Sequence, residues 1–236
     1  MRIPGAVAPD PTEQNDQPPA AEIAWGLASA AVGFAATAIF AGLLALPRDA
    51  FVAVYALVVT TYVYSYVRWT GLDVRSFLQQ RWSWGAVGVV IFGGLMVASV
   101  QRMAASSRAE DVTLAWDILW LGIVYGIADA LLLTVLPVTA VWRACTSSGW
   151  TATWPGKLAA GAAALAASLV VTAAYHLGYH EFRGPQVVDP LIGNGAMTLG
   201  YLLTGNPITA FSAHIALHVA SVLHGVETTV TLPPHY

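Results

Sequence analysis

The stretch VTLAWDILWLGIVYGIADALLLTVLPVTAVW, residues 112–142, decides the fold. It is well beyond the roughly 20 apolar residues that cross a hydrocarbon core. Its only ionisable side chains are Asp117 and Asp129. A run of this length and apolarity reads as a transmembrane helix, and the sequence on either side repeats the pattern. Apolar runs cover 23–46, 51–67, 85–100 and 157–177, and a last span covers 207–226. Between the final two lies a shorter apolar helix, 190–204, brief for a full crossing. The expectation is an all-α, polytopic membrane helix bundle of about six or seven transmembrane helices.

The composition agrees. Hydrophobic residues make up 57% of the chain and charged residues 10%, against about 25% charged in soluble domains. A chain this poor in charge has no water-compatible surface to offer, whereas lipid solvates apolar faces. Nine Trp and nine Tyr suit the headgroup level, where a ring and a polar tip are both satisfied. Abundant Ala and Gly suit close helix packing. A net charge of −3 gives no case for nucleic acid binding. The single Cys145 rules out an intramolecular disulfide and a cysteine-based metal site, and it is assigned no role.

Residues 1–20 are polar and Pro-rich and read as a disordered N-terminal tail, residues 21–226 as the bundle, and 227–236 as a short C-terminal tail. The start lacks the basic region and adjoining apolar core of a secretory signal. With the N-terminus inside, Arg2, Arg68, Arg75, Arg81, Arg143 and Lys157 fall on inside loops. Arg48, Arg102, Arg108 and Arg183 fall outside, a modest bias towards that orientation. The Ala, Gly and Val content fits a bacterial inner membrane, with membrane lipid as the general partner.

Ionisable residues inside membrane helices cost several kcal/mol, of order 2.5–3.5 on insertion scales, and so ask for a partner or a role. Asp129 lies mid-span, where a lone carboxylate needs a partner or a metal. His176 and His180 are spaced i, i+4, as are His214 and His218. On a helix each pair would share a face, about 6 Å apart, able to bind one divalent metal such as zinc. His176, His214 and His180 are the candidate ligands. The plainer reading of such histidines is interhelical hydrogen bonding. It is preferred for His224 near a helix end and for His235 in the tail, while Asp117, about one turn inside its helix, reads as a carboxylate suited to the positive N-terminal end.

The segment GYLLTGNPITAFSAHIALH, residues 200–218, resembles the final motif of the CPBP family, the type II CAAX-prenyl-protease-like intramembrane metalloproteases. His214 matches the motif histidine, and His218 stands where Asn is usual. Thr172-Ala-Ala-Tyr-His176 looks like the family's FxxxH motif, with Thr for Phe. Asp129-Ala130-Leu-Leu-Leu-Thr134 is the best match to EExxxR, with Asp for the first Glu, Ala for the second and Thr for the Arg. The resemblance covers about residues 126–224. It implies a metal-dependent intramembrane peptidase or a catalytically impaired relative, acting on a membrane-associated peptide. Asp129 would be the general base on a water that His176 and His214 position, and His218 would stabilise the oxyanion.

Two other functions fit the same residues: a haem or metal redox protein using the paired histidines, and a non-catalytic scaffold or transporter-like protein with a broken helix near Gly193-Asn194-Gly195. Depth along the helices adds a further expectation. Counted from the shared membrane side at about 1.5 Å per residue, His218 lies about 16 Å in, Asp129 about 20 Å and His176 about 28 Å. Asp129 and His218 should therefore meet, and His176 should pair in depth with His224, at about 25 Å.

Overall fold

In the computed structural model, which describes residues 17–225 and 231–233, most of the described chain is helical and no described residue lies in a strand. Five helices are long and apolar enough to cross a membrane: α1 (Pro19–Leu43), α2 (Arg48–Thr70), α4 (Trp82–Val100), α5 (Asp111–Ser147) and α6 (Trp154–Leu177). Three shorter ones complete the bundle: α3 (Val74–Gln79), α7 (Val188–Thr204) and α8 (Ile208–His224). Residues 1–16 of the N-terminal tail and His235 lie outside the described residues; the last two residues read as tail, Pro19 and Ala20, already belong to α1.

The helices run up and down, which sorts the loops onto two faces. One carries Arg68, Arg75, Arg81, Arg143 and Lys157 and is called here the arginine-rich face. The opposite face carries Arg48, Arg102, Arg108 and Arg183. Large apolar side chains such as Leu57, Val90 and Leu203 are mostly exposed along the helix shafts. Such a belt is tolerated against lipid and not against water. This is an integral membrane protein. Trp82, Trp84, Trp150 and Trp154 are exposed around the ends of the helices at the arginine-rich face, the level at which indoles settle.

α5 and α8 form the centre. α8 packs against α4, α5 and α7, and α6 packs against α1, α5 and α7. α5 has 37 residues, about 55 Å at 1.5 Å per residue, so it outruns a hydrocarbon core of about 30 Å. Its ladder is α-helical except for two π-helical stretches, Ile118–Val124 and Ala130–Val135, which flank Asp129. One extra residue per π turn rotates everything beyond it, and such insertions gather at functional sites.

Pro137 accounts for part of this. It has no N–H, so the carbonyl four residues earlier, on Leu133, loses its helical donor. That carbonyl is taken instead by the Ser168 hydroxyl of α6, at 2.6 Å. Ser168 belongs to a buried polar knot. The Asn194 amide donates to Ser168 Oγ at 3.0 Å and to Thr172 Oγ1 at 2.6 Å, and Asn194 Oδ1 accepts from Thr134 at 2.7 Å. Hydrogen bonds of this kind hold helices together where lipid leaves no hydrophobic drive for association. The knot ties α5, α6 and α7 beside the cavity described next. α7 is a short helix, continuous through Gly193-Asn194-Gly195, and its first half lines the cavity.

Candidate functional site

Asp129 is 4% exposed and sits between the two π stretches of α5. α8 reaches it because Gly126, one turn earlier, carries no side chain. A Cβ there would lie 3.0 Å from the Ile215 backbone and 3.2 Å from the His218 ring. Gly122, a further turn back, meets Val219 in the same way. Small residues four apart let two membrane helices touch along their backbones. The result sets His218 Nε2 3.3 Å from Asp129 Oδ2. The other carboxylate oxygen, Oδ1, accepts a hydrogen bond of 2.8 Å from the fully buried Tyr55 hydroxyl of α2.

The Tyr55 ring is one wall of a tyrosine cage. Tyr125 packs 4.8 Å from the His218 ring, centroid to centroid. Its hydroxyl is 2.7 Å from that of Tyr175, which is 2.9 Å from that of Tyr179. Sequence reading takes these tyrosines as interfacial. The signal that could have found them is Asp129 itself, since a buried carboxylate requires donors.

The three histidines of the site are oriented alike. Nδ1 of His176 faces the Thr172 carbonyl at 2.8 Å, Nδ1 of His214 faces the Ala210 carbonyl at 3.0 Å, and Nδ1 of His218 faces the Thr231 carbonyl. A carbonyl oxygen only accepts, so each Nδ1 carries the proton, and each Nε2 of a neutral ring is a lone pair. Asp129, His176, His214 and His218 all line one cavity of about 430 Å³ between α4, α5, α6, α7 and α8, together with Asn194 and Thr231. Nε2 of His214, Nε2 of His218 and Oγ1 of Thr231 are buried without a hydrogen-bond partner. The His218 nitrogen is within ion-pair distance of Asp129 but off the line of a hydrogen bond. Buried polar atoms are seldom left unsatisfied in proteins, and of the four such side-chain atoms among the described residues three are at this one cavity, the fourth being Arg143 Nη2.

The sequence pairings come out differently. Asp129 and His218 meet, as their depths require. His214 and His218 remain an i, i+4 pair on α8, with ring centroids 6.5 Å apart. His176 and His180 do not share a helical face: α6 ends at Leu177, and His180 sits exposed beyond it, within reach of Gly42. His176 lines the cavity with Asp129 and does not pair with His224, which contacts the Met103 carbonyl at 3.0 Å. The depth count fails there because the helices do not start level. Asn206, just before α8, is fully buried and donates to the Leu78 carbonyl beneath the α3 segment, so α8 begins below the surface. α5 and α6 run beyond Trp142 and Lys157.

Histidines tied through Nδ1 to carbonyls, with Nε2 free beside a carboxylate, have the donor chemistry of a divalent metal site. Their spacing does not match it. Among the described residues, no three His, Cys, Asp or Glu side chains stand close enough to hold one ion.

Thr231, Leu232 and Pro233 were assigned by sequence to a tail, yet all three are buried. The Pro233 carbonyl accepts from Arg48 Nε at 2.8 Å, and Leu232 joins the main apolar core. The chain thus folds back over the Nδ1 side of His218.

No protein-family model, curated protein or solved structure matches this chain. The likeness to the CPBP family therefore rests on the residues quoted for it.

Proposed function

We propose that this protein is an intramembrane hydrolase that cleaves a peptide bond of a membrane-resident segment, with Asp129 and His218 as its acid–base pair. The observation that carries the reading is the buried carboxylate 3.3 Å from an imidazole nitrogen, beside further unpartnered nitrogen and oxygen atoms, in a cavity large enough for a backbone and its attacking water.

The chemistry follows from the lone pairs. A water in the cavity would donate to His214 Nε2 and to His218 Nε2. Its oxygen attacks the carbonyl carbon while His218 Nε2 takes one of its protons. The Asp129 carboxylate, 3.3 Å from the same Nε2, stabilises by its charge the imidazolium so formed, whereas Nδ1, the nitrogen that the carboxylate of a hydrolase triad holds, is held here by the Thr231 carbonyl. Tyr55 fixes the carboxylate. The carbon–nitrogen bond then breaks, and the His218 proton passes to the leaving amine nitrogen. This exchanges the roles implied by the family resemblance, in which Asp129 acts on the water directly and His218 serves the oxyanion. No step is routed through a metal.

The test is cleavage of single-span peptides by the purified protein in lipid nanodiscs, read by mass spectrometry. Wild type and His180→Ala should give the same fragments. Asp129→Asn and His218→Ala should lose them by at least about 100-fold, the lower range for loss of acid–base catalysis. Fragments that persist in both variants would refute the assignment. A haem absorption band in the pure protein would move it to the redox reading, and near-stoichiometric zinc lost in His214→Ala would replace the metal-free scheme.

A further inference from the structure

A second cavity of about 430 Å³ lies apart from the polar one, near the arginine-rich face, between α2, α3, α5 and α8. Its wall is apolar throughout: Val63 and Val67 of α2, Phe77 of α3, Leu131 of α5 and Phe211 and Ile215 of α8 are representative. A volume within about 300–1,000 Å³ is that of a small-molecule site. Here nothing on the wall offers a hydrogen bond beyond the odd hydroxyl, so the occupant is a hydrocarbon chain.

The segment that closes the crevice on the membrane surface has two sides. Val74, Phe77 and Leu78 are spaced i, i+3, i+4 on α3 and line the crevice. Arg68, just before the segment, Arg75 within it and Arg81 after it are all exposed. The Arg81 guanidinium lies over Gly205, three residues before the crevice residue Ile208. The acid in the segment, Asp73, is occupied as the N-cap of α3. Its carboxylate accepts from the Ser76 hydroxyl at 2.5 Å and from the backbone N–H groups of Arg75 and Ser76. Exposed Trp82 and Trp84 mark this as headgroup level.

We infer that the crevice holds one acyl chain of an anionic phospholipid, whose phosphate lies among Arg68, Arg75 and Arg81. An apolar wall alone would accept any lipid chain. The three cations at its rim select the anionic headgroup, and α3 is the element that joins the two contacts. This site is independent of the acid–base pair and of its proposed reaction.

The test is lipid retention by native mass spectrometry of the full-length protein, offered phosphatidylglycerol or phosphatidylcholine with identical chains. The wild type should retain one phosphatidylglycerol in preference to phosphatidylcholine. Arg68→Gln/Arg75→Gln changes only exposed side chains and should weaken that retention about 30-fold, at about 1 kcal/mol per arginine near the membrane surface. Val67→Phe should fill the crevice and abolish retention of the chain while circular dichroism stays helical. Excess glycerol phosphate should fail to displace the lipid. Equal retention of the two lipids, an unchanged arginine variant, or displacement by glycerol phosphate alone would overturn the inference. Should Val67→Phe lose its helicity, the lipid preference and the arginine variant decide the matter.

Discussion

Removing the Tyr55 hydroxyl measures how firmly Asp129 is held, without touching the backbone. Tyr55 is fully buried and donates to Asp129 Oδ1 at 2.8 Å. Interhelical hydrogen bonds in membranes couple by only about 0.6 kcal/mol on average, with a maximum near 1.7. Hydrogen bonds to charged groups in proteins contribute about 1.5–3 kcal/mol. A phenol bound to a carboxylate in this cage should therefore reach the upper end for membranes, about 1.5 kcal/mol. The assay is a double-mutant cycle of Tyr55→Phe with Asp129→Leu, using reversible unfolding in mixed micelles. Each single change leaves a buried partner unsatisfied, and the cycle isolates their coupling. Tyr62→Phe, whose hydroxyl donates to the Trp25 carbonyl at 2.6 Å, serves as control and should not couple to Asp129→Leu. A Tyr55–Asp129 coupling below about 0.3 kcal/mol would refute the idea that the Tyr55 hydroxyl holds the Asp129 carboxyl in place.

Other consequences are as definite. Gly126→Val should force α5 and α8 apart and cost at least about 1–3 kcal/mol of stability, because the added atoms meet the Ile215 backbone; an unchanged midpoint would contradict the close approach. Ser168→Ala removes the partner of the Leu133 carbonyl and of Asn194 and should destabilise by about 1–3 kcal/mol, whereas Ser65→Ala, on an exposed hydroxyl, should stay within about 0.5 kcal/mol. The Ser76 hydroxyl and backbone hold the Asp73 carboxyl below the usual carboxylate range. Its contribution to anchoring α3 is thus complete above the unfolded value, near pH 4, and is lost as pH falls through the lower folded value. Amide protection across α3, taken relative to the intrinsic exchange rate at each pH, should fall in that acid range in wild type, and Asp73→Asn should remove that fall.

The bundle was legible because length and apolarity are local properties: each run of the sequence states its own span. The Asp129–His218 contact was legible too, since both residues carry their depth in their position along a helix. The rest depends on what lies across from them. Helix termination at Leu177 breaks the apparent His176–His180 pair, and spacing alone cannot register that. The link from Pro137 through the Leu133 carbonyl to Ser168 needs a second helix to complete it. The tyrosines around Asp129 read as interfacial residues until α2, α5 and α6 come together. The burial of Thr231–Pro233 has no local signature either, because a short polar and Pro-containing segment looks like any tail.

Isotope incorporation decides whether this site adds water to a carbonyl inside the membrane. Wild type and Asp129→Asn would be incubated in nanodiscs with single-span peptides in oxygen-18 water, and the new carboxyl termini examined by mass spectrometry. Oxygen-18 is expected at fresh C-termini in the wild-type sample and none above background in Asp129→Asn. Unlabelled peptides in both samples, or equal labelling in both, would contradict the proposed reaction.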